Sequence, residues 1–75
     1  MQVLLVEDEE IIAVTLRDDL EGAGYDVQHV ADGAKAIAEL RQRSFDVVIT
    51  DVRLPGADGL EVLRTAKQVR PDTEV

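Results

Sequence analysis

The 75-residue sequence contains no cysteine and no tryptophan, and its only aromatic residues are Tyr25 and Phe45. The absence of cysteine excludes disulfide bonds and thiolate metal sites, and it suits a reducing compartment. No apolar run approaches the roughly 20 residues of a membrane span. The glycine-rich loops that bind nucleotide phosphates are also absent, since neither GxxxxGK[ST] nor GxGxxG occurs. With so few aromatic rings, the core must be built from leucine, isoleucine, valine and alanine.

Basic residues are scarce: there are 8 against 16 acidic ones, which gives a formal charge of −8. The acidic excess is concentrated in residues 1–26, where Arg17 is the only basic residue. A negative field of this kind opposes direct contact of this segment with nucleic acid, and it favours cations or basic partner surfaces. An apolar strand pattern starts at residue 2 and leaves no room for a signal peptide. We therefore expect a cytoplasmic protein.

The hydrophobic pattern alternates between short apolar runs and helical spacing, which predicts an α/β fold. The predicted strands cover residues 2–6, 26–30 and 45–50, and the predicted helices cover residues 9–23, 34–43 and 59–69. Residues 51–58 are a predicted loop, and residues 73–75 look like the start of a fourth strand. The order βαβαβα implies one domain with a parallel sheet and right-handed crossovers.

Helical spacing also predicts an apolar stripe on the first helix, formed by Ile12, Leu16, Leu20 and Ala23. The second predicted helix carries the apolar residues Ala34, Ile37, Ala38 and Leu40.

Acidic residues directly follow two of the predicted strands. Glu7 and Asp8 come after the first strand, and Asp51 comes after the third. Carboxyl ends of parallel strands meet in one crevice, where α/β sheets bind their ligands. Two carboxylates about 5 Å apart repel by roughly 3 kcal/mol at an effective dielectric near 20. The trio therefore favours a hard cation such as Mg²⁺, beside which one carboxylate could attack a phosphoryl group.

Single residues of this pattern have simpler interpretations. Asp8 alone could cap the first helix, and Asp58 could cap the third. His29 is interpreted as a solvated edge-strand residue, because nothing nearby in the sequence supports a ligand or phosphoacceptor role. The joint pattern of Glu7, Asp8 and Asp51, followed by a Pro-Gly loop, favours the shared metal pocket.

The sequence resembles the receiver domain of two-component response regulators over its whole length. The stretches that match are residues 3–8 (VLLVED), 46–51 (DVVITD) and 54–59 (LPGADG). The resemblance implies a flavodoxin-like, doubly wound parallel sheet, here a partial (βα)3 with strand order 2-1-3 and the start of strand 4. It also implies a signalling module and not an enzyme, with at most self-phosphorylation and self-dephosphorylation chemistry.

The resemblance further implies a role for each site residue. Asp51 falls on the phosphoacceptor, which takes a phosphoryl group from the phosphohistidine of a sensor histidine kinase or a phosphotransfer protein. Asp51 and Asp8 would bind Mg²⁺ directly, and Glu7 would bind it through a water molecule. Arg53 falls on the position whose backbone carbonyl binds the metal.

The sequence departs from the family in its extent. A receiver has five βα units and this sequence holds three, so the resemblance implies a receiver over residues 1–75 that is incomplete at its C-terminus. The hydroxyl, aromatic and lysine residues of the later units have no counterpart before Val75. An output domain, DNA-binding after many receivers, would lie outside this chain. We expect the uncovered edge of the third strand to make an isolated chain molten, aggregated or dimeric.

Two other functions stay open on sequence grounds. A Mg²⁺-dependent phosphohydrolase would need a second acid two residues after the nucleophile, where this sequence has Arg53. The second is a protein-interaction module that is not phosphorylated. The intact acidic trio argues against it, because the repulsion between its carboxylates would then serve no function.

Overall fold

The structure is a computed structural model that describes residues 1–50 and 59–69. Its strands are β1 (Gln2–Val6), β2 (Asp26–Val30) and β3 (Val47–Thr50), and its helices are α1 (Glu10–Gly22), α2 (Gly33–Gln42) and α3 (Gly59–Val69). The predicted alternation is therefore confirmed for these residues. The predicted loop at 51–58 and the predicted strand start at 73–75 lie outside them. Within the described part of the chain, every helix is too short or too polar to cross a membrane.

The three strands form one parallel sheet in the order β2-β1-β3. Strand β1 lies in the centre because its run from Val3 to Val6 is apolar at every position, and all four side chains are buried. Strand β2 lies at one edge, as its mixed polar and apolar sequence suggests. The register aligns Val6 with Val30 on one side and with Thr50 on the other. The predicted order 2-1-3 is confirmed.

The main core lies between the sheet and the pair α2 and α3, which pack against each other on one face. Its buried members are Leu4, Val6, Val30, Ala36, Leu40, Phe45, Val48, Val62 and Ala66. Helix α1 contacts β1 and β2 and neither of the other helices, so it lies on the opposite face. Phe45 is 2% exposed although it precedes β3, because its ring completes this core.

The apolar residues named for α2 are only partly buried in the structure. Ala34 and Ala38 are exposed, whereas Ala36 and Leu40 are buried and Ile37 is half-buried. The helix packs against the sheet and α3 at once, and the small side chain of Ala36 lets it approach closely.

The predicted stripe of α1 is only partly covered. Ala13 is the buried residue of this helix, Leu16 and Leu20 are half-buried, and Ile12 is 43% exposed. The last member of the stripe, Ala23, lies beyond the helix and is exposed. Helix α1 therefore contributes an apolar surface as well as a contact with the sheet.

The helix ends show which acidic residues act as caps. Asp32 is the N-cap of α2, and its carboxylate accepts a hydrogen bond of 2.7 Å from the backbone N–H of Lys35. The N-cap position of α1 is Glu9, whose side chain makes no capping hydrogen bond. The interpretation of Asp8 as a helix cap is therefore wrong, because the helix begins one residue later than that role requires.

Candidate functional site

The backbone of Glu7 is held at the carboxyl end of β1 by the end of β2. Its N–H donates to the carbonyl oxygen of Val30 over 3.1 Å. Its carbonyl oxygen lies 2.9 Å from Nε2 of His29. A carbonyl only accepts, so the imidazole donates from Nε2. The peptide groups on both sides of Glu7 are therefore fixed to β2.

The side chains of Glu7 and Asp8 are accessible to solvent at this strand end. Glu7 as a whole residue is half-buried, and its carboxylate accepts a hydrogen bond of 3.1 Å from the backbone N–H of Glu9, while Asp8 is exposed. The ion pairs within residues 1–50 and 59–69 are Arg17 with Glu21 and Arg43 with Glu39, both elsewhere. The structure thus places two adjacent carboxylates at one strand end with no cationic partner among the described residues.

The other predicted site residues, Asp51 and Arg53, lie outside the described residues, as does Asp58. The described part of the chain contains no group of three or more His, Cys, Asp or Glu side chains suited to a metal ion. The predicted trio depends on Asp51, so its third member stays a prediction. Thr50 is described, and it pairs in register with Val6, the residue before Glu7.

The donor set at the end of β1 fits Mg²⁺ in its chemistry. Magnesium prefers oxygen ligands and is commonly held by one or two carboxylates, with water in the remaining positions. Glu7 and Asp8 supply carboxylate oxygens and are accessible. These two residues are the described part of the predicted ligand set.

His29 lies in an edge strand, as predicted, but it is not fully solvated. It is half-buried, and its ring is hydrogen-bonded to the Glu7 carbonyl. The register pairs His29 with Leu5, two residues before Glu7. Its position one residue before the end of a strand next to β1 is the only sequence signal that pointed to this contact.

Comparison with known proteins identifies the family. The family model described as response regulator receiver domain matches residues 3–75. The chain is 41% identical over 73 residues to the phosphate regulon transcriptional regulatory protein PhoB of Rhizobium meliloti, covering 97% of this chain and 32% of that protein. It is 37% identical to a solved response regulator receiver protein of Sinorhizobium medicae, with a TM-score of 0.91, covering 95% of this chain and 59% of that one. The chain belongs to the response regulator receiver domain family of two-component signalling, whose members are signalling domains and not classical enzymes.

Two further solved receivers show a ligand and a partner. The receiver of sensor histidine kinase PA1611 from Pseudomonas aeruginosa contains magnesium coordinated in its active-site cleft; it is 33% identical, with a TM-score of 0.83, covering 89% of this chain and 55% of that one. The response regulator TrrA was solved in complex with histidine kinase ThkA; this structure is 30% identical, with a TM-score of 0.85, covering 96% and 62%. The present chain thus spans less than two thirds of each of these matched chains.

Proposed function

We propose that this chain is the phosphoacceptor module of a response regulator, in which Asp51 accepts a phosphoryl group from a histidine-kinase phosphohistidine. The pairing of Val6 with Thr50 is the observation that carries the proposal. Glu7 follows Val6 by one peptide bond, and Asp51 follows Thr50 by one. Neighbouring strands are about 4.8 Å apart, and consecutive Cα atoms are about 3.8 Å apart. These spacings support a shared pocket for Glu7, Asp8 and Asp51.

The proposed pocket holds Mg²⁺ through the carboxylates of Asp8 and Asp51, through Glu7 by way of water, and through the backbone carbonyl of Arg53. The lack of a cationic partner for Glu7 and Asp8 among the described residues supports this assignment. The magnesium in the PA1611 receiver supports it from the side of the family. When bound, the ion would neutralise the charge on the oxygens of the transferred phosphoryl group.

The proposed chemistry of the chain lies in one carboxylate. An oxygen of Asp51 attacks phosphorus, an O–P bond forms, and the P–N bond of the phosphohistidine breaks. The imidazole leaves with the electron pair of that bond, and Asp51 becomes an acyl phosphate. Attack by water then releases phosphate and restores the carboxylate. In this cycle the chain is phosphorylated and dephosphorylated on its own Asp51, which turns the signal on and off.

The proposed partners are a sensor histidine kinase or phosphotransfer protein and an output domain. The complex of TrrA with ThkA supports the first, and the transcriptional regulator PhoB supports the second. The acidic excess of residues 1–26 opposes binding of nucleic acid by this segment. Any contact with DNA is therefore assigned to the output domain. A cytoplasmic location belongs to the proposal, because a histidine kinase draws its phosphoryl group from ATP.

The test is phosphorylation of the complete protein that carries this chain. Incubation with acetyl phosphate and Mg²⁺ should add one phosphoryl group, detected as a gain in intact mass. Asp51→Asn should abolish the gain, whereas Asp18→Asn, an exposed acid on α1, should label like the parent. Labelling that persists in Asp51→Asn would contradict the proposal. Rapid multiple-turnover hydrolysis of small phosphate esters would favour a phosphohydrolase instead.

A further inference from the structure

We propose that His29 is a positioning residue for the acidic pair Glu7 and Asp8. Its Nε2–H donates to the carbonyl oxygen of the peptide bond that joins these two residues. A peptide unit is planar, so the direction of its oxygen also sets the position of the following Cα. By holding the Glu7 oxygen, His29 thus fixes the point from which the Asp8 side chain leaves the backbone. The metal-related part of this inference rests on the proposed function.

The hydrogen bond from His29 replaces the backbone hydrogen bond that would come next if β2 were longer. The N–H of Glu7 still bonds to the backbone of β2, at the carbonyl of Val30. Strand β2 ends at Val30 and α2 begins at Gly33, with Asp32 turned into the N-cap of that helix. The backbone that would donate to the Glu7 carbonyl in a longer strand has therefore left the sheet. The side chain of His29 supplies the donor in its place.

The half-buried setting of this contact makes it matter for the geometry of the site. Water reaches a half-buried carbonyl less readily, so losing the donor leaves the oxygen poorly satisfied or free to rotate. Partners behind a metal ligand commonly orient it and influence metal affinity. Here the oriented unit is the backbone beneath two carboxylates that have no cationic partner among the described residues.

Two substitutions separate the hydrogen bond from the bulk of the side chain. His29→Gln keeps an N–H donor at the end of a side chain of similar reach, whereas His29→Val removes the donor and suits a strand. Gln28→Val is the matched control, because Gln28 is the half-buried neighbour on the same strand. In the complete protein, His29→Val should weaken Mg²⁺ binding about five-fold in calorimetric titration, as expected for one hydrogen bond. His29→Gln and the control should stay within about two-fold of the parent.

A metal-free measurement addresses the same contact directly. In the parent protein, ¹⁵N NMR should find neutral His29 protonated at Nε2, with a coupling across the hydrogen bond to the Glu7 carbonyl. Amide exchange at Asp8 and Glu9 should accelerate about five-fold in His29→Val and return to the parent rate in His29→Gln. The proton position and the coupling are measured on the parent protein alone, so they test the contact even if the Val variant is poorly folded.

Each outcome decides the inference. Weaker Mg²⁺ binding in the Val variant with recovery in the Gln variant supports it. Equal loss in both variants, or no loss in either, overturns it. If the parent protein binds no Mg²⁺, the proposed function fails and the NMR measurement decides alone. A proton on Nδ1 in place of Nε2, or no coupling to the Glu7 carbonyl, then overturns the positioning role.

Discussion

Val6 and Thr50 are register partners in adjacent parallel strands, and each is the last residue of its strand. The sequence continues from these two residues with Glu7 and Asp8 on one side and with Asp51 on the other. The ends of β1 and β3 are therefore level with each other. A charge introduced or removed after one strand should therefore change the electrostatic energy of the groups that follow the other strand.

Asp51→Asn should stabilise the metal-free protein and weaken its binding of Mg²⁺. In the proposed pocket Asp51 is one of three neighbouring carboxylates, so removing its charge should relieve repulsion that we estimate at about 1 kcal/mol after screening by solvent. In a domain of 60–100 residues, 1 kcal/mol corresponds to roughly 4–8 °C in melting temperature. Thermal melts of the complete protein in EDTA, and its titration with Mg²⁺, measure the two effects. Asp18→Asn serves as the control, and a melting temperature of Asp51→Asn at or below the parent value would show that the acids do not crowd each other.

Asp32→Ala should destabilise the protein by about 1 kcal/mol, the usual cost of losing a helix N-cap. The variant removes the 2.7 Å hydrogen bond that the Asp32 carboxylate accepts from the N–H of Lys35. An N–H in the first turn of a helix has no backbone acceptor within that helix, so it would lose its partner. Asp32→Asn retains an oxygen acceptor and should keep most of the stability. Urea denaturation of the complete protein and of its two variants measures the difference. Equal stability of the Ala and Asn variants would mean that the cap contributes little.

Gly24→Ala should cost about 1–2 kcal/mol, because Gly24 adopts φ +95° and a side chain there is strained. This conformation ends α1: the N–H of Gly24 donates to Glu21 O over 3.0 Å, and that of Tyr25 donates to Leu20 O over 3.1 Å. An added Cβ meets no atom within 4 Å, so the cost is conformational and not steric crowding.

Gly22→Ala is the matched control for Gly24→Ala. Gly22 is the last helical residue, its φ is not positive, and an added Cβ again meets nothing within 4 Å. We expect a gain of about 0.5–1 kcal/mol from helix propensity and from the smaller entropy of the unfolded chain. Opposite signs for the two variants in chemical denaturation confirm the argument, whereas equal signs contradict it.

A polypeptide of residues 1–75 made on its own should self-associate or lack a cooperative melt. In the described sheet β3 is an edge strand, and a groove lined by Val47, Val48, Ile49, Thr50 and Leu63 runs along it. Apolar edge strands pair readily with other chains. Ile49 is 36% exposed, so this edge also presents an apolar side chain to solvent. Sedimentation and calorimetry test the prediction, and a monodisperse monomer with one sharp melt would contradict it.

Much of the fold could be predicted because its signals are local. The run Val3-Leu4-Leu5-Val6 identifies a strand covered on both faces, and all four side chains are buried. The ends of two helices also depend on local features, with Gly24 at a positive φ just after α1 and Asp32 as the N-cap of α2. The placement of Glu7 and Asp8 at the carboxyl end of the central strand followed from the same reasoning. The pocket that would join them to Asp51 and Arg53 stays a prediction, because the latter two lie outside the described residues.

The sequence by itself determined the alternation of strands and helices, the apolar character of β1 and the concentration of acids after it, because each depends on residues close together in the chain. Tertiary structure alone decided that Ala36 and not Ala34 faces the core, since this depends on how α2 rotates between the sheet and α3. It also decided that His29 bonds to the carbonyl of Glu7. That contact joins residues 22 positions apart, and only the register of β2 against β1 brings the imidazole within reach of the oxygen.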